Sequence, residues 1–231
     1  MTTSLKSNNH LSNNHLLRRF LLIFLALLFA SVAATTMVVV RIAYTGRFAY
    51  LFLVWNLILA WLPFLFALAV LTLRQSKLAL GAFGILWLLF FPNTTYLVTD
   101  LIHLYHTDFI PIWYDAIMLF AFALTGLMLG LLSLYFVHAV VRIYFGSLIG
   151  WMFVGVTVVL GSVGVYIGRF LRWNSWDVFV NPFTLFNDVM LNLFHPDLFL
   201  RAVVTTGMLT AVFIVAYVIL FLLPRISLEP A

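Results

Sequence analysis

Two short stretches of the chain combine carboxylate, imidazole and guanidinium groups at spacings suited to chemistry. In the first, Asp100 and His103 are three residues apart, and His106 follows after another three. A helix places side chains at this spacing on adjacent turns of one face. A general acid and base, or a pair of metal ligands, can be presented in this way. Asp100 and His103 are therefore candidate catalytic residues, and with His106 they are candidate metal ligands.

The second stretch begins with Arg169 and Arg172 and continues through Asn174 to Asp177. Guanidinium groups hold phosphate bidentately, so these arginines could bind an anionic substrate or neutralise a carboxylate of the first stretch. A plainer role is favoured, in which the arginines anchor a helix end and the acids complete a structural network. Both interpretations stay open on the sequence alone.

Three more polar residues flank these stretches and complete the candidate site. Asn93 and Tyr96 precede Asp100, and Asp115 stands at the start of a later apolar run, where the helix dipole would stabilise its anion. The candidate substrate-binding residues are Asn93, Tyr96, Asp115, Arg169, Arg172, Asn174 and Asp177. If the two stretches meet in space, one water-accessible chamber would enclose Asp100, His103, Asp115, Arg169 and Asp177.

The composition requires lipid as the main solvent. The chain of 231 residues is 65% hydrophobic and only 8% charged, whereas a soluble domain carries about 25% charged residues. The net charge of +5 comes from basic residues scattered singly between apolar runs, which indicates membrane orientation and not nucleic-acid binding. Because cysteine is absent, disulfides and cysteine-ligated metals are excluded.

Six apolar runs predict membrane-crossing helices, because an open sheet would leave its backbone hydrogen bonds unsatisfied in lipid. The runs cover residues 20–40, 51–73, 78–91 continuing to about 105, 113–141, 148–168 and 198–223. The predicted fold is all-α, a polytopic transmembrane bundle of about six spans that forms one domain over residues 20–223. Polar tails at residues 1–19 and 224–231 flank this domain.

The third run is too short to cross a bilayer by itself. Residues 78–91 give about 21 Å of helix, against a hydrocarbon core of about 30 Å. Apolar residues resume after Pro92-Asn93, so we predict a helix that is broken or kinked at Pro92 and then continues. The alternative is that the helix ends there. A broken helix at membrane depth must face protein or a wet cavity, which makes this break a pointer to a site.

The basic residues predict the orientation of the bundle. Arg18-Arg19 flank the first span, and a cytoplasmic N-terminus places seven basic residues inside and five outside. Six of the seven acids then fall on the outer side, so both termini are expected in the cytoplasm and the candidate site outside. The first span resembles a signal peptide as far as Ala33, but its apolar run continues to Arg41, which favours an uncleaved span.

Other helical segments carry packing signals. The polar side chains of residues 182–194 gather on one side, which suggests a helix lying in the outer interface. Small residues of the first span and the Gly164-x-x-x-Gly168 motif of the fifth favour close helix packing, either within the chain or with a membrane protein partner. His138 and Arg142 are expected at the inner membrane interface.

Three motifs together resemble the domain-of-unknown-function 1361 family of bacterial integral membrane proteins. They are Phe91-Pro-Asn-x-x-Tyr96-x-x-Thr-Asp100-x-x-His103-Leu, Trp113-Tyr-Asp115 and Gly168-Arg-Phe-Leu-Arg-Trp-Asn-Ser-Trp-Asp177. The resemblance extends from about Asn56 to the last span. It implies a bacterial multi-span membrane protein and implies no activity, and we expect that protein in the plasma membrane.

Three functions are compatible with these features. The first is a module that binds or transports a small solute at the outward-facing polar site. The second is an enzyme acting on a lipid-linked or cell-envelope substrate, with Asp100 or His103 as acid or base and the two arginines on a phosphate. The third is a structural or regulatory subunit without its own ligand. The sequence identifies no cofactor, and the partners it predicts are membrane lipids and a membrane protein packed on small-residue faces.

Overall fold

The structure, a computed structural model, describes residues 2–104 and 110–225, with side chains described from residue 17 onwards and to residue 224. The part of the chain that it describes is almost entirely helical, which confirms the all-α prediction. Its α-helices, in chain order, are α1 Thr2–Thr45, α2 Leu51–Thr72, α3 Lys77–Phe90, α4 Pro92–Thr99, α5 Ile112–Phe170, α6 Asp177–Val180, α7 Pro182–Phe194 and α8 Pro196–Leu222.

Five helical segments of the described chain are long and apolar enough to cross a membrane. They are Leu17–Thr45, Leu51–Thr72, Lys77–His103, Ile112–Phe170 and Pro196–Leu222. The third segment contains both α3 and α4, and its first residue, Lys77, precedes the apolar run. A transmembrane helix bundle is the architecture that such segments form.

The longest helix, α5, is a hairpin of two helices. Its 59 residues would extend about 88 Å if straight, roughly three times the thickness of the hydrocarbon core. Gly146 interrupts it with φ 84° and ψ 175°, a backbone conformation open to glycine but strained for other residues. A Cβ atom on Gly150 would lie 2.9 Å from Nε2 of His138, so the chain has turned back on itself. We call residues 112–145 α5a and residues 147–170 α5b, and these two halves match the fourth and fifth predicted spans.

The third span is kinked at Pro92, as predicted. Phe91 keeps a helical backbone (φ −52°, ψ −40°), and its N–H still donates to the carbonyl of Trp87 at 2.8 Å. Pro92 has no N–H to continue the ladder, so α4 restarts there with the proline in its first turn. The helix then tightens into a 3₁₀ turn at Asp100–His103 instead of running on to residue 105. The carbonyl of His103 accepts a hydrogen bond from the hydroxyl of Tyr50 at 2.8 Å, which satisfies one helix end.

Glycines on both halves of the hairpin allow α4 to pack deeply between them. A Cβ atom on Gly126 of α5a would lie 2.6 Å from the carbonyl oxygen of Thr94. One on Gly164 of α5b would lie 2.4 Å from Cγ of Pro92. Gly155, one helix face away, has nothing within 4 Å of the same position. The fifth-span glycine motif therefore serves close packing inside this chain.

The bundle core consists of two apolar clusters. One apolar cluster joins α1, α2 and α5a, and a second joins α2, α3, α5 and α8. His138 belongs to the second region, with a side chain that is only 1% exposed and an Nδ1 atom 2.6 Å from the hydroxyl of Tyr217. It is therefore a buried, hydrogen-bonded residue between α5a and α8, and its expected depth at the inner membrane interface stays a prediction.

The amphipathic helix predicted at residues 182–194 is α7, with the same bounds. Its polar side faces the bundle: Asp188 accepts a hydrogen bond from Nε1 of Trp173 at 3.0 Å, and Asn192 accepts one from the hydroxyl of Tyr166 at 3.2 Å. Its apolar side, which includes Phe183, is exposed. A helix with this arrangement is suited to lie at a membrane surface with its apolar side in the lipid.

Candidate functional site

Asp100 and Arg169, the central residues of the two predicted stretches, form a direct ion pair. Nη2 of Arg169 donates to Oδ1 of Asp100, and Nδ2 of Asn56 donates to Oδ2 at 3.0 Å. Nε of Arg169 donates to the hydroxyl of Thr99 at 3.0 Å, and its guanidinium lies 4.4 Å from the ring centre of Tyr96. We call these five residues the Asp100 cluster. The cluster joins α2, α4 and α5b, so the two stretches do meet.

The Asp100 cluster is balanced in charge and in hydrogen bonds. The Asp100 side chain is only 1% exposed, and a carboxylate at that depth is tolerated because a guanidinium and an amide satisfy its oxygens. The Arg169 side chain is 12% exposed and reaches the surface of a cavity. Asp100 therefore lies behind the cavity wall and Arg169 forms part of that wall.

His103 lies beside the Asp100 cluster at the edge of the cavity. Its Nδ1 atom is 3.2 Å from the backbone carbonyl of Asp100 and 3.8 Å from Oδ1 of the same residue. The imidazole also packs against Phe52, with ring centres 5.0 Å apart. With a third of its side chain exposed, His103 is the imidazole of the described chain that is placed to meet a ligand in this cavity.

The cavity has a volume of about 890 Å³, near the upper end of the range for small-molecule sites. Its polar end is lined by Asn93, Tyr96, His103, Arg169, Arg172 and Asn174. Its remaining walls are mainly apolar and come from α2, α3, α5b and α7, including Trp55, Leu59, Ile85, Leu88 and Leu160. The cavity is thus amphipathic, with cationic groups at one end and aliphatic side chains along its length.

Arg172 differs from Arg169 in having its charge unpaired. In the described part of the chain, no carboxylate lies within ion-pair distance of its guanidinium. Arg172 also has a positive φ of 61°, and no other non-glycine residue of the described chain has a positive φ. The left-handed position after a helix normally takes glycine or asparagine, because a Cβ atom costs about 1–2 kcal/mol there. An exposed arginine at this strained position lines the polar end of the cavity.

Side-chain hydrogen bonds hold the segment after α5, residues 171–176, beside the cavity. Nδ2 of Asn93 donates to the hydroxyl of Ser175 at 3.0 Å and to the carbonyl of Phe90 at 3.0 Å. Oδ2 of Asp177 accepts from the backbone N–H of Asn174 at 2.7 Å. Asp177 therefore closes a turn before α6 and does not line the cavity.

Asp115, also predicted for the chamber, belongs to a separate pair. Nε and Nη2 of Arg41 donate to its two oxygens at 2.7 Å and 3.0 Å, and the side chains are 5% and 1% exposed. The Arg41 guanidinium lies 4.3 Å from the ring centre of Tyr50, whose hydroxyl reaches the backbone of His103. The pair ties α1 to α5a and contributes nothing to the cavity lining.

Two of the three predicted metal ligands, Asp100 and His103, lie among the described residues. In the described chain, no group of three His, Cys, Asp or Glu side chains is placed to hold a metal ion. Asp100 and His103 are near one another, and the oxygens of Asp100 already accept from Arg169 and Asn56. His106, the third candidate ligand, lies outside the described residues.

Two partners in these pairs were not predicted from the sequence. Asn56 is a lone amide in the apolar run of α2, and Arg41 ends the first span. A polar residue inside a membrane span commonly faces the bundle interior and has a partner there, so Asn56 carried a usable signal. No comparable signal connects Arg41 with Asp115, 74 residues further along the chain.

Comparison with protein families matches residues 55–222 to the family described as "Protein of unknown function (DUF1361)". The chain belongs to this family. The match begins within α2 and ends with α8, so the whole cavity and the Asp100 cluster lie inside it, whereas all of α1, with Arg41, precedes it. Searches of curated proteins and of solved structures found no match.

Proposed function

We propose that this chain is an integral protein of the bacterial plasma membrane that binds a small solute with an anionic group in the 890 Å³ cavity. The observation that carries the proposal is Arg172, an unpaired cation held in a strained backbone at the polar end of that cavity. Arg169 is neutralised by Asp100, so the charge that Arg172 adds is not cancelled by a neighbouring carboxylate of the described chain. An anion entering the cavity would supply the missing partner.

The cavity offers further hydrogen-bond donors to such an anion. The second amide hydrogen of Asn174 and the imidazole of His103 line the same end as the two guanidinium groups, whereas both amide hydrogens of Asn93 are already donated to Ser175 and Phe90. Charge-assisted hydrogen bonds of this kind are about twice as strong as neutral ones. The mainly apolar walls exclude water from the rest of the solute, which is the usual design of a small-molecule site.

We further propose that the Asp100 end of the bundle faces outwards and that both termini are cytoplasmic. Support comes from the way the helices sort their charges. Asp100 follows the last residue of α4, and Asp115 lies in the first turn of α5. Both ion pairs lie at the same end of the bundle, where the hydroxyl of Tyr50 donates to the carbonyl of His103. Arg74 lies at the opposite end, where its carbonyl accepts from the hydroxyl of Tyr144 at 2.6 Å. With Arg18-Arg19 before the first span, the positive-inside rule favours this orientation.

A binding measurement tests the solute proposal. Inorganic phosphate, titrated against the purified chain in neutral detergent, should raise the midpoint of thermal unfolding, because a ligand that binds only the folded state stabilises it. The Arg172→Gln variant should lose this rise. Arg201→Gln is the matched control, since Arg201 is exposed at the same end, stacks on Phe170 at 4.1 Å and does not line the cavity. Equal responses of both variants and the wild type would contradict the proposal.

A second candidate function, an enzyme acting on a lipid-linked substrate, is favoured by the placement of His103. Its imidazole is 3.8 Å from the Asp100 carboxylate and lies at the cavity edge, where an acid or base would be needed. Incubation with a single-chain alkyl phosphate and recovery of the lipid would test it. Cleavage by the wild type and not by His103→Asn would support an enzyme, and unchanged lipid would count against one.

The first span is our candidate for contact with a membrane protein partner. Ala26 and Ala33 on α1 are exposed, whereas the glycines of α5b that face Pro92 and Tyr96 are used within the chain. Small exposed residues allow another helix to approach closely. Exchange of Ala26 and Ala33 for Leu should remove copurifying membrane proteins, and an unchanged set would contradict this assignment.

A further inference from the structure

We infer that the anionic ligand of this cavity is carried by a lipid and enters sideways from the bilayer, with its head group at Arg172 and its acyl chain between α3 and α5b. This inference rests on the proposed function, because it assigns a substrate class to the same cavity.

The apolar walls are open to the side of the bundle. Ile85 of α3 is 68% exposed and Leu160 of α5b is 48% exposed, yet both line the cavity. Both belong to helices apolar enough to cross a membrane, so the solvent that meets them is hydrocarbon. Helix α3 packs along α2 and contacts α5 through Trp87, which lies against Ser133 and Phe153. The cavity lies on another side of α3, between Ile85 and Leu160 of α5b, and forms the cleft between these two helices. A water-soluble solute has no need of such an opening.

The length of the cleft matches one leaflet of a bilayer. Leu160 lies nine residues before Arg169 on the same helix, which places it about 13 Å deeper along the axis. Half of a hydrocarbon core is about 15 Å thick. A lipid whose head group meets Arg169 and Arg172 would therefore have most of one leaflet's chain length beside α3 and α5b.

The polar end accounts for selection among lipids. An acyl chain gains little on moving from lipid to a protein wall, since both are apolar, so the chain alone would not select a ligand. The head group meets an unpaired guanidinium, the remaining amide hydrogen of Asn174 and an imidazole, which favour a phosphate monoester over a zwitterionic head group. Confinement to the membrane supplies a high local concentration, and the cationic end supplies the preference.

Photocrosslinking tests the lipid and its route together. The full chain is placed in phosphatidylcholine nanodiscs that contain a small share of phosphatidate with a diazirine in its acyl chain. Matched nanodiscs carry diazirine-labelled phosphatidylcholine instead. We expect about tenfold more labelling by phosphatidate, a preference of about 1.4 kcal/mol, with labelled peptides from α3 and α5b. Arg172→Gln should remove the preference.

Two variants test the sideways entry. Leu160→Trp fills the cleft and should abolish phosphatidate labelling. Val159→Trp is the control, because Val159 is 44% exposed at the same depth but does not line the cavity. It should label like the wild type.

The outcomes separate this inference from the function on which it rests. If phosphate protects the chain through Arg172 but phosphatidate labels no better than phosphatidylcholine, the ligand is a soluble anion and the lipid inference is wrong. Equal labelling of Leu160→Trp and Val159→Trp would overturn the route. If neither phosphate nor phosphatidate responds to Arg172→Gln, the proposed function fails as well.

Discussion

Two ion pairs of the same chemistry have different roles in this molecule. Arg169 with Asp100 and Arg41 with Asp115 each join a membrane-spanning helix to a distant one, and each carboxylate is 1% exposed. They differ in what lies next to the arginine. Arg169 lines a cavity beside a second, unpaired arginine, whereas Arg41 is only 5% exposed and both of its contacts with Asp115 are internal.

This difference shows that a buried ion pair in a membrane protein is not by itself a functional site. The Arg41 pair is bidentate, and its charges are satisfied by one another, so a ligand would have nothing to add. The Asp100 cluster spreads its hydrogen bonds over α2, α4 and α5b and presents one side of Arg169 to the cavity. Access to a ligand distinguishes the two pairs, and the following variants test this distinction.

The largest effect on stability is expected at the pair of Arg41 and Asp115. Asp115→Asn leaves Arg41 as an uncompensated buried charge and should lower the free energy of unfolding by about 3–5 kcal/mol. Denaturation in mixed micelles measures this loss, with the exposed Asp197→Asn as a control that changes stability by less than about 1 kcal/mol. The double variant Arg41→Met with Asp115→Leu should regain most of the stability. A double variant as unstable as the single one would refute a purely structural pair.

A smaller effect is expected from moving α4. In Gly164→Ala the new Cβ atom would lie 2.4 Å from Cγ of Pro92, and such overpacking costs about 1–3 kcal/mol. Because α4 leads into Asp100, phosphate protection should weaken as well. Gly155→Ala, whose Cβ meets nothing within 4 Å, should retain both stability and protection. Identical behaviour of the two variants would show that α4 does not position the cavity.

The loss of Asp100 should be milder than the loss of Asp115. In Asp100→Asn, Arg169 keeps Thr99 and Tyr96 and can meet water or an anion in the cavity, so we expect a loss of about 1–2 kcal/mol. Added phosphate should stabilise Asp100→Asn by more than it stabilises the wild type, because the freed Arg169 can also meet the anion, whereas Asp115→Asn, whose cavity lining is unchanged, should show the wild-type increment. Unfolding curves with and without phosphate compare the two variants. Equal phosphate increments in the two variants would erase the distinction between the pairs.

The smallest change in stability is expected at Arg172. Arg172→Gly relieves the left-handed strain but adds backbone entropy to the unfolded chain, so stability should stay level or rise by up to about 1 kcal/mol. The same variant should lose the thermal response to phosphate. A variant that is stable and still protected by phosphate would remove Arg172 from the site.

The sequence predicted helix boundaries and breaks best where a proline, a glycine or a helical repeat of polar residues was decisive. Helix α7 has the predicted bounds because Pro182 starts it and its polar side repeats at helical spacing. The kink at Pro92 follows from the missing N–H of proline. The hairpin in α5 consists of two apolar runs, each long enough to cross a bilayer, and Gly146 provides the turn between them.

Partnerships between distant residues were predicted less well. Asp115 and Asp177 were assigned to the chamber with Asp100, because all three lie on the same predicted side of the membrane. The structure gives Asp115 to Arg41 and uses Asp177 in a turn with Asn174. The 3₁₀ turn at Asp100–His103 also differs from the predicted regular helix, since contacts from Tyr50 and Arg169 act on its end.

By itself the sequence determined the helical class, the membrane as solvent, the breaks in the helices and the two stretches that could carry a site. These properties depend on hydropathy, on proline and glycine geometry, and on residues close together in the chain. Only the tertiary structure decided which arginine neutralises which aspartate, and which arginine is left facing a cavity. Spacing along a helix fixes the face on which a charge lies, but its partner depends on how helices pack across tens of residues of intervening chain.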